Sequence, residues 1–157
     1  MTTEPDPTRV VADADVLAAD LLVGGRARDA LDALWCHSWT TLIASQQLLA
    51  DTEAIVARLA DSKLAAAHRA RLAEWTERVD HPPGDHPGLA SAYRSGAPHL
   101  LSLDPSLTSV SAGANLRAYA EVSVRTPDAF AQLFDPERLW PTVGEGPYPG
   151  PDREPRR

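Results

Sequence analysis

The hydrophobic pattern divides the chain into short apolar runs that stop at an acid or a helix cap, separated by stretches with helical spacing. Val10-Val11-Ala12 is the first run; Asp13 and Asp15 follow before Val16 and Leu17 resume. An apolar run bounded so abruptly reads as a strand buried on both faces. Asp15 to Leu34 reads as helix, with Leu17, Leu21, Leu31 and Leu34 in register and a break at Gly24-Gly25. The two glycines end one helix and start another, since no Gly-rich phosphate-binding fingerprint surrounds them. Trp39 to Ala44, rich in Thr, Ile and Trp, is a second strand. Ser45 is placed to cap the next helix, whose stripe is Leu48, Leu49, Ile55, Val56 and Leu59. Asp61 or Ser62 caps a further helix carrying Leu64, Ala67, Leu72, Trp75 and Val79.

Prolines and glycines make Asp80 to Gly88 a loop. Leu89 to Tyr93 begins a short helix that closes at Ser95-Gly96, and Leu100 to Leu103 is a third strand ending at Asp104 before Pro105. Ser111 to Ala120 is weakly helical and Glu121 to Val124 is a fourth strand. Thr126-Pro127-Asp128 opens a helix with a capping hydroxyl, a first-turn proline and an acid at the positive end of the dipole. Ala129, Phe130, Leu133 and Phe134 continue it. Beyond Asp135 periodicity is lost, so residues 135–157 are expected to form a mostly disordered Pro/Gly-rich tail, and residues 1–8 a disordered N-terminus. Strands alternating with helices over residues 9–134 predict an α/β three-layer sandwich with a mostly parallel central sheet.

The 157 residues suit one domain, and a net charge of −7 argues against a broad basic surface for nucleic acid. Lys63 is the only lysine; such a balance is compatible with a salt-rich cytoplasm or with GC-rich coding. The single cysteine, Cys36, excludes an internal disulfide and reads as a small buried residue beside Trp35. No apolar run approaches the ~20 residues of a membrane helix, and the N-terminus is polar and acidic, so a cytoplasmic location without membrane contact is expected.

Four acids fall at element boundaries: Asp13 after the first strand, Asp51 six residues past Ser45, Asp85 in the proline-rich loop, and Asp104 after the third strand. Gathered carboxylates cannot all stay ionised without a cation. Oxygen ligands of this kind suit Mg²⁺ or Mn²⁺, which lower the pKa of water and stabilise a leaving oxygen in phosphodiester cleavage. Histidines and the lone cysteine are too few and scattered for zinc.

The order of these motifs resembles the PIN domain, the metal-dependent nuclease fold of toxin ribonucleases and RNA-processing factors. Val11-Ala12-Asp13-Ala14-Asp15-Val16-Leu17 is similar to its opening strand and acid. Ser45-Gln46-Gln47-Leu48-Leu49-Ala50-Asp51 is similar to its second element, with Asp where Glu is usual. Asp85 through Leu89-Ala90-Ser91-Ala92 to Gly96-Ala97 resembles the third, and His99-Leu100-Leu101-Ser102-Leu103-Asp104 the fourth. Val124-Arg125-Thr126-Pro127-Asp128-Ala129-Phe130 resembles the closing strand and helix, while Pro98 and Leu103 replace residues more often polar or small in the family. The resemblance implies that Asp13, Asp51, Asp85 and Asp104 hold Mg²⁺ or Mn²⁺, with Asp15 and Ser102 supporting them. It also implies a metal-dependent ribonuclease in which an activated water attacks a phosphodiester of single-stranded RNA. The partners it implies are an RNA substrate, an antitoxin or other protein, and a second copy, since PIN domains often pair. Leu64 to Val79 offers an amphipathic face for such pairing, although packing onto the chain's own sheet is the favoured use of that face.

Taken singly, each acid has a plainer reading. Asp13, Asp15 and Asp51 suit caps or helix dipoles, and Asp85 and Asp104 suit turns. His81 and His86 read as solvated loop residues, His99 as packing near a strand start, and Arg153, Arg156 and Arg157 as a solvated tail. Asp13-Ala14-Asp15-Val16 also resembles the first motif of haloacid-dehalogenase-type phosphatases, with Asp13 as nucleophile and Asp15 as general acid. Those enzymes need a site lysine, and Lys63 has no matching motif around it; a receiver-like phospho-acceptor fails on the same lysine. A third reading is a catalytically inactive PIN-like scaffold that binds RNA or protein.

Overall fold

Nothing in Arg9–Ala12 (β1) beyond its first residue needs water: Val10, Val11 and Ala12 are all buried. The strand pairs in parallel with Thr41–Ala44 (β2) on one side and His99–Leu101 (β4) on the other. Val11 stands opposite both Ile43 and Leu100. Thr76–Arg78 (β3) extends the sheet beyond β2, and Ser123–Arg125 (β5) extends it beyond β4. The result is a five-stranded, all-parallel sheet in the order β3-β2-β1-β4-β5. Strands of three or four residues are marginal alone. In β2, β1 and β4, ladders on both sides and roughly 1.5–3 kcal/mol per large buried apolar side chain offset the ordering entropy.

The computed structural model describes residues 5–108 and 122–154. The expected helix Ser111 to Ala120, and the start of the expected strand at Glu121, lie outside them. Helices Ala14–Leu22 (α1), Gly25–Trp35 (α2), Gln46–Leu59 (α3), Ser62–Trp75 (α4) and Pro87–Ser95 (α5) connect the first four strands. Pro105–Thr108 (α6) follows β4, and Pro127–Leu133 (α7) and Pro136–Leu139 (α8) follow β5. The architecture is a three-layer α/β sandwich. Gly24 and Gly25 have φ of 82° and 53°, which lets the chain turn from α1 into α2 as expected. Ser45, Asp61 and Thr126 cap α3, α4 and α7 by accepting from Leu48, Leu64 and Ala129 N–H. Leu31 and Leu34 of α2, Leu48 and Leu49 of α3, Leu72, Leu89 and Phe130 join the sheet in one core. Among the described residues no helix is long and apolar enough to cross a membrane.

Several expectations are corrected. The helix read as reaching Val79 stops at Trp75, and Thr76–Arg78 is an edge strand beside β2. Thr-Glu-Arg has no apolar signature, so only the ladder reveals it. The buried stripe of α4 is Ala65, His68 and Leu72, whereas Leu64, and Leu59 at the end of α3, are exposed. Cys36 is half-buried rather than a core residue, and burial pushes its thiol up.

The segment after Phe134 is not a loose tail in its described part. It forms α8 and a 3₁₀ turn, Trp140–Thr142, then returns to the C-terminal end of α2. There the Arg153 guanidinium donates to the carbonyls of Trp35 and His37, at 2.7 and 3.1 Å. Asp152 accepts from the backbone N–H and hydroxyl of Ser38, and Tyr148 hydroxyl meets Nε2 of buried His37. These contacts satisfy carbonyls that a helix end leaves open. The solvated-tail reading of Arg153 is therefore corrected; Arg156 and Arg157 lie outside the described residues.

Candidate functional site

The strand order reverses between β1 and β4, since the chain builds outward to β2 and β3 and then crosses back. At such a switch point the connections leave in opposite directions, and a crevice opens beyond the carboxyl ends of the two strands. Asp13 directly follows β1 and Ser102 directly follows β4. The Asp13 N–H donates to Leu101 O at 2.8 Å, which holds the two strand ends together.

Asp13 is the N-cap of α1, its Oδ1 accepting from Ala14 N–H at 3.1 Å. Its Oδ2 accepts from the Ser102 hydroxyl at 3.3 Å. Ser102 is fully buried and in turn accepts from Asp104 N–H at 3.1 Å. One hydroxyl thus links the two strand-end acids. Asp15, one residue into α1, accepts from Leu103 N–H through Oδ2 at 3.1 Å. Its Oδ1 is buried and has no hydrogen-bond partner among the described residues. Asp104 is exposed and accepts from Ser106 N–H at 2.9 Å.

Electrostatics separates these acids. Burial raises the Asp13 carboxyl above the ordinary range, opposed by His86 and by hydrogen bonds from Ala14 and Ser102, while Asp104 raises it further. Burial also raises Asp15, and the Asp13 and Asp104 charges add to it. Asp104 is held below the ordinary range by its hydrogen bonds from Ser106. Three carboxylates that interact, one with an orphaned buried oxygen, fit a hard divalent cation by donor type and by charge. As the side chains stand, no group of three His, Cys, Asp or Glu among the described residues is spaced to hold a metal ion.

Asp13, Asp104, Asp15 and Ser102 therefore come together. The two remaining predicted acids are engaged differently. Asp51 lies on α3, where Oδ1 accepts from the Gln47 amide at 2.8 Å. Asp85 is exposed in the loop before α5, with its N–H 3.5 Å from Pro82 O.

The side chain of that loop that faces the site is the neighbour, His86. It caps α5, its Nδ1 accepting from Leu89 N–H at 3.3 Å, while its Nε2 stands 3.8 Å from Asp13 Oδ2. His81 also departs from a solvated reading: its Nε2 is 2.9 Å from the hydroxyl of buried Ser45, and its Nδ1 is 3.0 Å from Pro82 O. His99 is half-buried against Phe130, and desolvation lowers its pKa. Pro87 was the available pointer to His86, because proline favours the first helical position and so marks the preceding residue as cap.

Residues 4–156 match the model of a family of unknown function (DUF7384), and the chain belongs to that family. No curated protein and no solved structure matches the chain.

Proposed function

We propose that this chain is a PIN-like, metal-dependent ribonuclease centred on Asp13 and Asp104, with Asp15 and Ser102 orienting them. The observation that supports this most is the acid cluster at the β1–β4 switch point. Burial raises two of its members, and the buried Asp15 Oδ1 lacks a hydrogen-bond partner among the described residues. A cation bound among these oxygens would relieve both penalties at once.

The chain's own residues have separate tasks in this reading. Asp13 and Asp104, one after each of two neighbouring strands, would hold the cation. Ser102 holds Asp13 in place through its hydroxyl, and Leu103 N–H holds Asp15. Asp51 would have to leave Gln47 to join, and Asp85 is exposed in its loop, so both contribute less than the strand-end pair. Bound Mg²⁺ or Mn²⁺ would supply Lewis-acid stabilisation and a more acidic water for phosphodiester hydrolysis. An RNA substrate, an antitoxin or other protein partner, a homodimer and a cytoplasmic location belong to the same proposal.

The phosphatase reading has less support. Both Asp13 oxygens are already hydrogen-bonded, and Lys63 is exposed in the first turn of α4. A scaffold that binds RNA without cutting draws on the engagement of Asp51 with Gln47 and the exposure of Asp85 in its loop. The deciding experiment replaces Asp13 and Asp104 singly by Asn and measures cleavage of single-stranded RNA with Mn²⁺. The ribonuclease reading expects at least a hundredfold loss in each. Unchanged cleavage in both mutants removes it, and RNA binding without turnover in the wild type favours the scaffold.

A further inference from the structure

The cap that His86 makes on α5 also decides which of its nitrogens carries a proton. Nδ1 accepts from Leu89 N–H, so in the neutral ring the N–H sits on Nε2. That nitrogen points toward Asp13 Oδ2 but stops at 3.8 Å, beyond hydrogen-bond reach. The ring is 36% exposed, whereas the Asp13 side chain is 14% exposed. The donor is thus open to an incoming group on the solvent side of the acid.

The chain on either side of His86 is anchored to the sheet. Five residues back in the same loop, Ser45 hydroxyl donates to His81 Nε2, and His81 Nδ1–H donates to Pro82 O. Two residues on, Gly88 lies so close to Asp13 and Leu100 that a Cβ would meet them at 3.1 and 2.9 Å. The loop is tied to the end of β2 and the helix is pressed on the end of β1, with His86 between them.

Among the described residues, no lysine or arginine forms an ion pair or hydrogen bond with Asp13, Asp15 or Asp104. An RNA phosphate carries only acceptors, so it needs a donor at this mouth. The His86 Nε2–H, beside Asp13 and partly open to solvent, supplies one.

We infer that His86 is a substrate-positioning residue, its Nε2–H donating to a non-bridging phosphate oxygen of single-stranded RNA beside Asp13. The inference rests on the ribonuclease reading.

The variant that isolates this role is His86→Asn. Asparagine keeps a capping oxygen for Leu89 N–H, but its shorter side chain withdraws the donor from the mouth. Binding of a short fluorescent single-stranded RNA is followed by anisotropy in Ca²⁺, alongside the melting temperature and its shift with Mn²⁺. The expected result is RNA affinity about tenfold weaker, equal to about 1.4 kcal/mol, with melting temperature and Mn²⁺ shift unchanged. Wild-type affinity in His86→Asn overturns the role of His86 and leaves the ribonuclease reading intact if Asp13→Asn still abolishes cleavage. A wild-type protein that neither binds nor cleaves RNA overturns both. Should His86→Asn fail to fold, ¹⁵N spectra of the wild-type imidazole give the same test: an Nε2 resonance unmoved by saturating RNA overturns the proposal.

Discussion

Gly88 lies against Asp13 so closely that a Cβ on residue 88 would stand 3.1 Å from Asp13 Oδ1. The same atom would stand 2.9 Å from Leu100 Cδ1, in the fully buried core. The missing side chain lets the first turn of α5 rest on the carboxylate.

Replacing Gly88 by Ala should therefore destabilise the protein, although helix propensity alone favours Ala by roughly 1 kcal/mol. Overpacking against a fixed core leucine and a capping acid costs typically ~1–3 kcal/mol, so the net change is a loss. Chemical denaturation measures it. A Gly88→Ala protein as stable as wild type would show that α5 can withdraw from β1 freely.

Asp13 and Asp15 set a pH dependence whose sign is fixed by the direction of their shifts. Both have folded pKa values above the ordinary 3.8. The folded state then binds their protons more tightly than the unfolded state, so their contribution is fully present below pH 3.8 and is lost as pH rises through the folded values. Asp15→Asn should be more stable than wild type at pH 7 in metal-free buffer, with the difference fading as pH falls toward 3.8. Melting curves across that range check it; a constant difference at all pH values would contradict the assignment.

Divalent cations should act on the same penalty. If the acids hold Mg²⁺ or Mn²⁺, stability rises with metal concentration, by about 2.7 kcal/mol at a hundred times Kd. The increase should disappear in Asp13→Asn. A melting temperature insensitive to millimolar Mn²⁺ would remove the metal from the proposed mechanism.

Arg153 closes the C-terminal end of α2 from 118 and 116 residues away in sequence. Arg153→Ala leaves the Trp35 and His37 carbonyls without these donors, at a cost of ~1–3 kcal/mol. Hydrogen exchange should accelerate at residues 35–38, while the acid cluster keeps its behaviour. Unchanged exchange there would show that the strap contributes little.

Much of the site was legible because its signals are local. Asp13 and Asp104 each follow a short apolar run, and Asp15 and Ser102 lie within two residues of them. A parallel sheet brings such strand ends together once its order is known. Asp51 and Asp85 carried similar spacing but different surroundings. Asp51 meets Gln47 one helical turn back, and the loop turns His86, not Asp85, toward Asp13. A shift of one residue in a loop is invisible to spacing, because a loop has no period to constrain it.

The sequence by itself determined the local features: the α1–α2 break at Gly24-Gly25, the caps at Ser45, Asp61 and Thr126, the helix stop at Gly96, and the apolar strands β1 and β4. Each follows from interactions within a few residues. Tertiary structure decided the rest. Thr76–Arg78 became a strand because β2 offered an open edge. The C-terminal segment became ordered because α2 left carbonyls for Arg153 and a buried His37 for Tyr148. His86 reached the acids because Gly88 let α5 settle on Asp13. In all three cases the stabilising partner is far along the chain, and its free energy appears only when the sheet has assembled.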